Sequence, residues 1–189
     1  MRIKSPLLTA IHSNWCIPLD KRKHSLTIGE ITLFAVLGTL TFALQVAMAP
    51  LPNIEPVSLL VMLFAVVFGW KCLYPVYIFV VMEILFYGIS TWNIYYLYVW
   101  TVLALAAVAM RKTQQPLAWA LLSGVYGLLF GALCGIVDIF IGGFAYAAAK
   151  WVSGIPFDLL HCGGNFGIAL ILFKPLRTAM EKLYHRMKR

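Results

Sequence analysis

Residues 57–90 read VSLLVMLFAVVFGWKCLYPVYIFVVMEILFYGIS, and this stretch decides the fold class. Its only charged residues are Lys71 and Glu83, and most of its other side chains are apolar. A helix rises about 1.5 Å per residue, so roughly 20 apolar residues cross the ~30 Å hydrocarbon core of a bilayer. We interpret the stretch as two membrane-spanning helices, Val57–Trp70 and Leu73–Ser90, of which the first is short for a span.

Four more apolar segments flank this pair, and the composition supports the same class. The 189-residue chain is 62% hydrophobic and 12% charged, whereas soluble domains are roughly 45–50% apolar and about 25% charged. The composition argues against a soluble enzyme, and we predict a one-domain, all-α membrane protein with six transmembrane helices. The flanking segments are Ile31–Ala49, Ile94–Met110, Leu117 to Ala149 with a break at Gly142-Gly143, and Ile155 to Leu176.

The basic residues predict the orientation of the chain in the bilayer. Of the 15 lysines and arginines, all but Lys150 fall on one side of a six-span topology. Cytoplasmic loops carry an excess of Lys and Arg, so we expect both termini in the cytoplasm. The net charge of +8 is then a topology signal, and we expect no nucleic-acid partner. The predicted organisation is a basic cytoplasmic arm at 1–27, a six-helix domain at 28–177 and a basic cytoplasmic tail at 178–189, with arm and tail near anionic lipid headgroups.

Acidic residues within the spans indicate a candidate site. A charge at the centre of a membrane helix costs roughly 2.5–3.5 kcal/mol on insertion scales, so it needs a compensating role. In the six-span topology, four of the seven acidic residues collect in the outward-facing half of the bundle, together with polar and aromatic companions. The candidate substrate-binding residues are Asn53, Glu55, Glu83, Asn93, Tyr96, Asp138, Asp158, His161 and Asn165.

Three of these residues share one face of the sixth span. Asp158, His161 and Asn165 are separated by three and four residues, which places them on the same side of a helix. Such a stripe fits a cavity wall, and it also fits hydrogen bonds between helices. The acidic residues favour a ligand with hydrogen-bond donors or positive charge, unless they pair with His161 or Lys150. Nearby Trp92, Tyr95, Tyr96 and Trp151 either stack a ligand or form the interfacial aromatic belt.

Two stripes of small residues indicate close helix contacts. Gly127, Gly131 and Gly135 follow a G-x-x-x-G-x-x-x-G pattern, which favours close packing within the chain. The first span carries Ala35, Thr39 and Ala43 at four-residue spacing. The spacing alone leaves open whether this second stripe packs internally or contacts another subunit.

Several motifs of catalysis are absent from the sequence. No G-x-x-x-x-G-K-[ST] loop, H-E-x-x-H helix or G-x-S-x-G turn occurs, and the four cysteines are dispersed. We therefore expect no ATPase activity, no catalytic residue, no metal and no cofactor in this chain. Two alternatives stay open: an intramembrane enzyme that uses Asp158 and His161, and an assembly protein without a small-molecule ligand.

Two segments resemble the substrate-binding S components of energy-coupling-factor (ECF) transporters. The segments are LPNIEPVSLL at 51–60 and GIPFDLLHCGGNF at 154–166, the second followed by FKPL at 173–176. The resemblance covers residues 28–177. It implies a compact six-helix protein in the plasma membrane of a prokaryote, which captures a vitamin or related micronutrient. It also implies a transmembrane coupling (T) component and two cytoplasmic ATPase subunits as partners.

The resemblance also implies roles for particular residues. The family's first helix carries an A-x-x-x-A motif that packs on the coupling subunit, and here Ala35 is followed by Thr39, with Ala43 next. Family pockets use the first outer loop and the outer ends of spans three to six, which matches the candidate residues above. We expect the loop at 50–56 and a loop near 144–154 to act as lids over the ligand.

Overall fold

The computed structural model describes residues 26–51 and 54–188, and this part of the chain is helical with no strand. The predicted all-α fold is thereby confirmed. Most of the predicted arm at 1–27, and Asn53, lie outside the described residues. The elements are α1 (Ile28–Met48), α2 (Val57–Phe68), a 3-10 turn (Gly69–Cys72), α3 (Leu73–Tyr87), α4 (Thr91–Met110) and α5 (Pro116–Met187).

The 72-residue α5 is a helical hairpin that reverses at Gly143. This residue has φ 81° and ψ 175°, a backbone conformation that favours glycine. We name the two halves α5a (116–142) and α5b (144–187). They run antiparallel, because Gly127 of α5a lies against His161 of α5b while Gly131, further along α5a, lies against Asp158. Gly127 and Gly131 permit this approach, so the predicted close packing is confirmed for both.

Among the described residues, four helices are long and apolar enough to cross a membrane, by length and composition: Ile28–Met48, Val57–Tyr87, Thr91–Met110 and Pro116–Met187. The second of these includes α2, the 3-10 turn and α3, and the fourth is the α5 hairpin. These helices are consistent with a membrane protein.

The helix α2 forms the centre of the bundle. It packs against both α4 and α5. Val57, Val61, Met62, Leu63 and Ala65 are fully buried. Neighbouring helices therefore cover most of this 12-residue helix, which is too short to span a bilayer by itself.

Two predicted boundaries of the last spans were wrong. The segment 144–154, which we expected to form a lid loop, is helical throughout, because the break is confined to Gly143 and three alanines, strong helix formers, follow at 147–149. The last helix also continues through Pro175 to Met187 rather than ending near Leu176. A pair between Arg177 and Glu181, 2.8 Å apart, supports this extension.

A buried ionic network closes the end of the bundle that contains the α1 N-terminus. Glu30 is 3% exposed, and Lys71 donates hydrogen bonds of 2.8 Å to both of its carboxylate oxygens. The Tyr184 hydroxyl donates to Glu30 at 2.7 Å. Thr27 caps α1 and completes a capping box with Glu30. This network links α1, the 3-10 turn and α5b.

Candidate ligand-binding site

An aromatic cavity of about 360 Å³ lies between α4 and the two halves of α5. Its volume is within the range of small-molecule pockets, about 300–1,000 Å³, and most of its walls are apolar, as such pockets require. We call it the aromatic cavity. Its lining residues are Trp92, Tyr95, Phe130, Gly131, Cys134, Asp138, Lys150, Trp151, Gly154, Phe157, Asp158 and His161.

Asp138 lines this cavity and forms a hydrogen-bonded group with Lys150 and Tyr95, in which Lys150 compensates the charge of Asp138. Lys150 donates hydrogen bonds to Asp138 Oδ1 at 2.8 Å and to the Tyr95 hydroxyl at 2.9 Å. The Tyr95 hydroxyl in turn donates to Asp138. The sequence left open whether Asp138 contacts a ligand or pairs with Lys150, and the structure shows the pair. Its charge is therefore compensated within the protein.

Asp158 is a buried carboxylate with one free oxygen. Its Oδ1 accepts a hydrogen bond of 3.1 Å from the Gly131 backbone N–H. Its Oδ2 has no hydrogen-bond partner among the described residues. A Cβ added at Gly131 would lie 2.5 Å from that oxygen, so the glycine makes room for the carboxylate. Asp158 Oδ2 is therefore a buried acceptor that no described group uses.

His161 lies at the boundary between the aromatic cavity and the segment that precedes α2. Its Nε2 is 3.4 Å from Glu55 Oε1 but forms no hydrogen bond within the described chain. Its ring contacts that of Phe130 edge to face, with centroids 5.0 Å apart. His161 is 3% exposed. It is thus a wall of the cavity on one side and a neighbour of Glu55 on the other.

The predicted stripe of Asp158, His161 and Asn165 is confirmed as one buried face, but its members differ in role. Asn165 Nδ2 donates a hydrogen bond of 2.9 Å to Ser58 Oγ of α2, and Asn165 does not line the cavity. Hydrogen bonding between helices is therefore the alternative that fits Asn165. Asp158 and His161 line the cavity, as a ligand-binding role requires.

A cluster of polar side chains lies on the side of His161 that faces Glu55. We call it the inner acidic cluster, and its members are Gln45, Glu55, Glu83, Tyr96 and Tyr126. Glu55 and Glu83 are within electrostatic range of each other and of Tyr96. Gln45 Nε2 donates to the Tyr96 hydroxyl at 3.3 Å. Gln45 Oε1, Glu83 Oε1 and the Tyr126 hydroxyl have no hydrogen-bond partner in the described chain. A buried polar group without a hydrogen-bond partner costs about 1–3 kcal/mol of stability. The unpartnered atoms of this cluster therefore lower the free energy of unfolding.

Asn93 does not reach either group. Its Oδ1 accepts a hydrogen bond of 2.6 Å from the Ser90 backbone N–H, and the two residues form a capping box at the start of α4. Asn93 thus caps its own helix and is not among the residues that line the cavity, and its ligand role stays a prediction. The structure also brings to the site several residues that were not predicted from the sequence: Gln45, Tyr126, Phe130, Cys134 and Phe157. Gln45 could have been identified as a candidate from the sequence, because it is an amide within an apolar span.

The stripe Ala35, Thr39 and Ala43 is exposed on the surface of the described bundle. The opposite face of α1, which includes Gly38, packs against α3, where a Cβ at Gly38 would lie 2.6 Å from Ile78. Of the two alternatives for this stripe, internal packing is therefore not observed.

Comparison with known proteins finds no family model that matches the chain, and no curated protein or solved structure that is significantly similar to it. The resemblance to ECF S components thus depends on the two quoted motifs alone. Within residues 26–51 and 54–188, no group of three or more His, Cys, Asp or Glu side chains is arranged to hold a metal ion.

Proposed function

We propose that this protein is the substrate-binding S component of an ECF-type transporter, which captures a vitamin or related micronutrient and imports it. The observation that carries the proposal is the aromatic cavity, whose lining residues Asp158 and His161 each bury an atom, Oδ2 and Nε2, that has no hydrogen-bond partner among the described residues. A polar ligand in the cavity would supply a hydrogen-bond donor to Asp158 Oδ2 while its ring stacks on Trp92 and Trp151. Both residues belong to the motif at 154–166 that resembles the family.

The proposed topology has six spans with both termini in the cytoplasm. Two features support dividing the four candidate spans into six: the 3-10 turn at Gly69–Cys72 and the reversal at Gly143. The Glu30 network supports a common side for the α1 N-terminus, Lys71 and the end of α5b, because these groups are in direct contact. Their basic character then favours the cytoplasmic side of a prokaryotic plasma membrane.

In the proposed mechanism, the segment that carries Glu55 covers the ligand. Glu55 reaches His161 at 3.4 Å, so movement of the 50–56 segment and access to His161 are coupled. Closure of this segment over a bound ligand would shield its polar groups from lipid while the protein reorients. With the predicted 144–154 loop replaced by helix, 50–56 is the one lid in the mechanism.

The proposed partners are a transmembrane coupling component and two cytoplasmic ATPase subunits. The exposed stripe of Ala35, Thr39 and Ala43 supports a docking face, because small side chains let a second helix approach closely. ATP hydrolysis belongs to the partner subunits in this proposal.

The test is identification by mass spectrometry of small molecules that co-purify with the full chain in mild detergent after growth in rich medium. We expect one vitamin-like metabolite near one molecule per chain, and a rise in the thermal unfolding midpoint when it is added back. An unrelated six-span protein purified in parallel controls for detergent carry-over. A chain without a stoichiometric metabolite, and without stabilisation by any member of a vitamin panel, would contradict the proposal.

A further inference from the structure

The buried acids around the aromatic cavity differ in whether a cation compensates them. Lys150 lies 2.8 Å from Asp138 and neutralises it. In the part of the chain that the structure describes, no lysine or arginine forms an ion pair with Glu55 or Glu83. His161 is the basic group that approaches Glu55, at 3.4 Å. The inner acidic cluster therefore contains more acidic than basic groups.

Three buried polar atoms beside these acids also lack a hydrogen-bond partner among the described residues. They are Glu83 Oε1, the Tyr126 hydroxyl and His161 Nε2, and their residues are 6%, 5% and 3% exposed. Nε2 of His161 faces Glu55. These atoms can form hydrogen bonds for which the described chain supplies no partner. They therefore indicate that a polar group from outside the protein binds here.

Aromatic rings pack against Tyr96 and Tyr126 of the same cluster. The Tyr96 ring contacts those of Phe79 and Trp100, with centroid distances of 5.9 and 5.4 Å, and the Trp100 ring is 5.9 Å from that of Tyr126. The faces of aromatic rings attract cations within about 6 Å. Carboxylates among aromatic rings therefore favour a cation over a neutral or negatively charged group.

The inner acidic cluster is adjacent to the aromatic cavity. Phe130 and His161 line the cavity, and the Phe130 ring also contacts that of Tyr126, with centroids 6.0 Å apart. Glu55 Oε1 lies 3.4 Å from Nε2 of the same imidazole. The cavity-lining side chain of His161 is therefore in direct contact with an acid of this cluster.

We infer that the ligand carries a positively charged nitrogen group, which Glu55 and Glu83 bind while the ring of the ligand occupies the aromatic cavity. This inference rests on the proposed function and names the substrate class of the same site. A cation at this position compensates both carboxylates and donates hydrogen bonds to Glu83 Oε1. A neutral group of the same shape leaves the two carboxylates uncompensated.

The test compares three planar probes of nearly equal shape and different charge: benzamidine, benzamide and benzoate. Isothermal titration of the full chain in detergent, freed of co-purifying ligand, measures each affinity. We expect benzamidine to bind about tenfold or more tightly than the other two, since a charge-assisted hydrogen bond is roughly twice as strong as a neutral one. Glu83→Gln and Glu55→Gln should each abolish that preference.

Glu181→Gln is the matched control, because Glu181 pairs with Arg177 at the far end of α5b and should leave the preference unchanged. Size-exclusion profile and helical circular dichroism establish that each variant is folded, and two independent variants guard against the loss of one. Equal affinity for benzamidine and benzamide, tighter binding of benzoate, or no binding of any probe overturns the inference. A neutral or acidic metabolite at one molecule per chain would overturn it too, while leaving the proposed function intact. Absence of a stoichiometric metabolite, together with no stabilisation by any member of the vitamin panel, removes both.

Discussion

Carboxylates are buried at both ends of the bundle, but the two ends differ in whether the described residues supply hydrogen-bond partners for them. Glu30 is 3% exposed and has partners for both oxygens, from Lys71, Tyr184 and the Thr27 backbone. Glu83 is 6% exposed, yet its Oε1 has no hydrogen-bond partner among the described residues. Two glutamates of similar burial thus have different electrostatic surroundings.

This difference distinguishes a structural acid from the acid that we propose binds a ligand. The Glu30 site is complete within the chain, so its interactions contribute to stability whether or not a ligand is present. The inner acidic cluster is incomplete, and its cost is offset only when something else binds there. Substitutions at the two ends should therefore separate stability from ligand binding.

The largest expected effect comes from breaking the complete site. Lys71→Met leaves the buried Glu30 carboxylate without its cation, and we expect a loss of about 3 kcal/mol in the free energy of unfolding. Thermal unfolding in detergent measures it as a lower midpoint. Lys182→Met is the control, since Lys182 is exposed and forms no ion pair in the described chain. Equal midpoints for the two variants would contradict the structural role of Glu30.

A second effect is expected where α5a and α5b meet at the cavity. Gly131→Ala places a Cβ 2.5 Å from Asp158 Oδ2, so we expect a loss of about 1–3 kcal/mol from overpacking and weaker ligand binding. Gly135→Ala is matched to it, because a Cβ there meets no atom within 4 Å. Stability and affinity are measured by thermal unfolding and titration. If the Gly131 variant resembles the Gly135 variant in both, the placement of Asp158 is wrong.

A smaller effect is expected at the hydrogen bond between α2 and α5b. Ser58→Ala removes the partner of Asn165, and we expect a cost of about 0.6 kcal/mol, typical of hydrogen bonds between membrane helices. Ligand affinity should be unchanged, because neither residue lines the aromatic cavity. A double-mutant cycle with Asn165→Leu measures the coupling. A loss of ligand affinity in the Ser58 variant would contradict this expectation and would indicate that Asn165 contributes to ligand binding.

The smallest effect on the isolated chain is expected at the exposed stripe of α1. Ala35→Trp and Thr39→Trp add bulk at exposed positions, so midpoint and ligand affinity should stay as in the parent chain. Assembly with the coupling component, measured by co-purification, should be lost. Leu172→Trp, on an exposed position of α5b, should assemble normally. Recovery of the complete complex from either α1 variant would refute this docking face.

The sequence predicted those features that depend on local pattern. Long apolar runs indicated an all-helical membrane chain, Gly142-Gly143 marked a break in the fifth span, and the spacing of Asp158, His161 and Asn165 placed them on one buried face. Each of these follows from helix periodicity or from glycine chemistry, without knowledge of neighbouring helices.

The partners of the polar residues could not be predicted in the same way. Asp138 pairs with Lys150 across the hairpin, Asn165 bonds to Ser58 from a distant helix, and Asn93 caps its own helix. These outcomes depend on how each helix is rotated against its neighbours, and hydropathy does not encode that rotation. The loop expected at 144–154 is helical instead, because the single residue Gly143 is enough to reverse the chain.

The tight reversal at Gly143 has a consequence for biosynthesis. The contacts that form the cavity wall within α5 join residues 12 and 27 positions apart, Asp138 with Lys150 and Gly131 with Asp158. The ribosome makes α4 and α5a before α5b, so the wall is completed only when the second half of the hairpin emerges. Ligand capture by a nascent chain would therefore report that translation has passed His161, and a ligand present during synthesis would selectively stabilise chains that have inserted the whole hairpin.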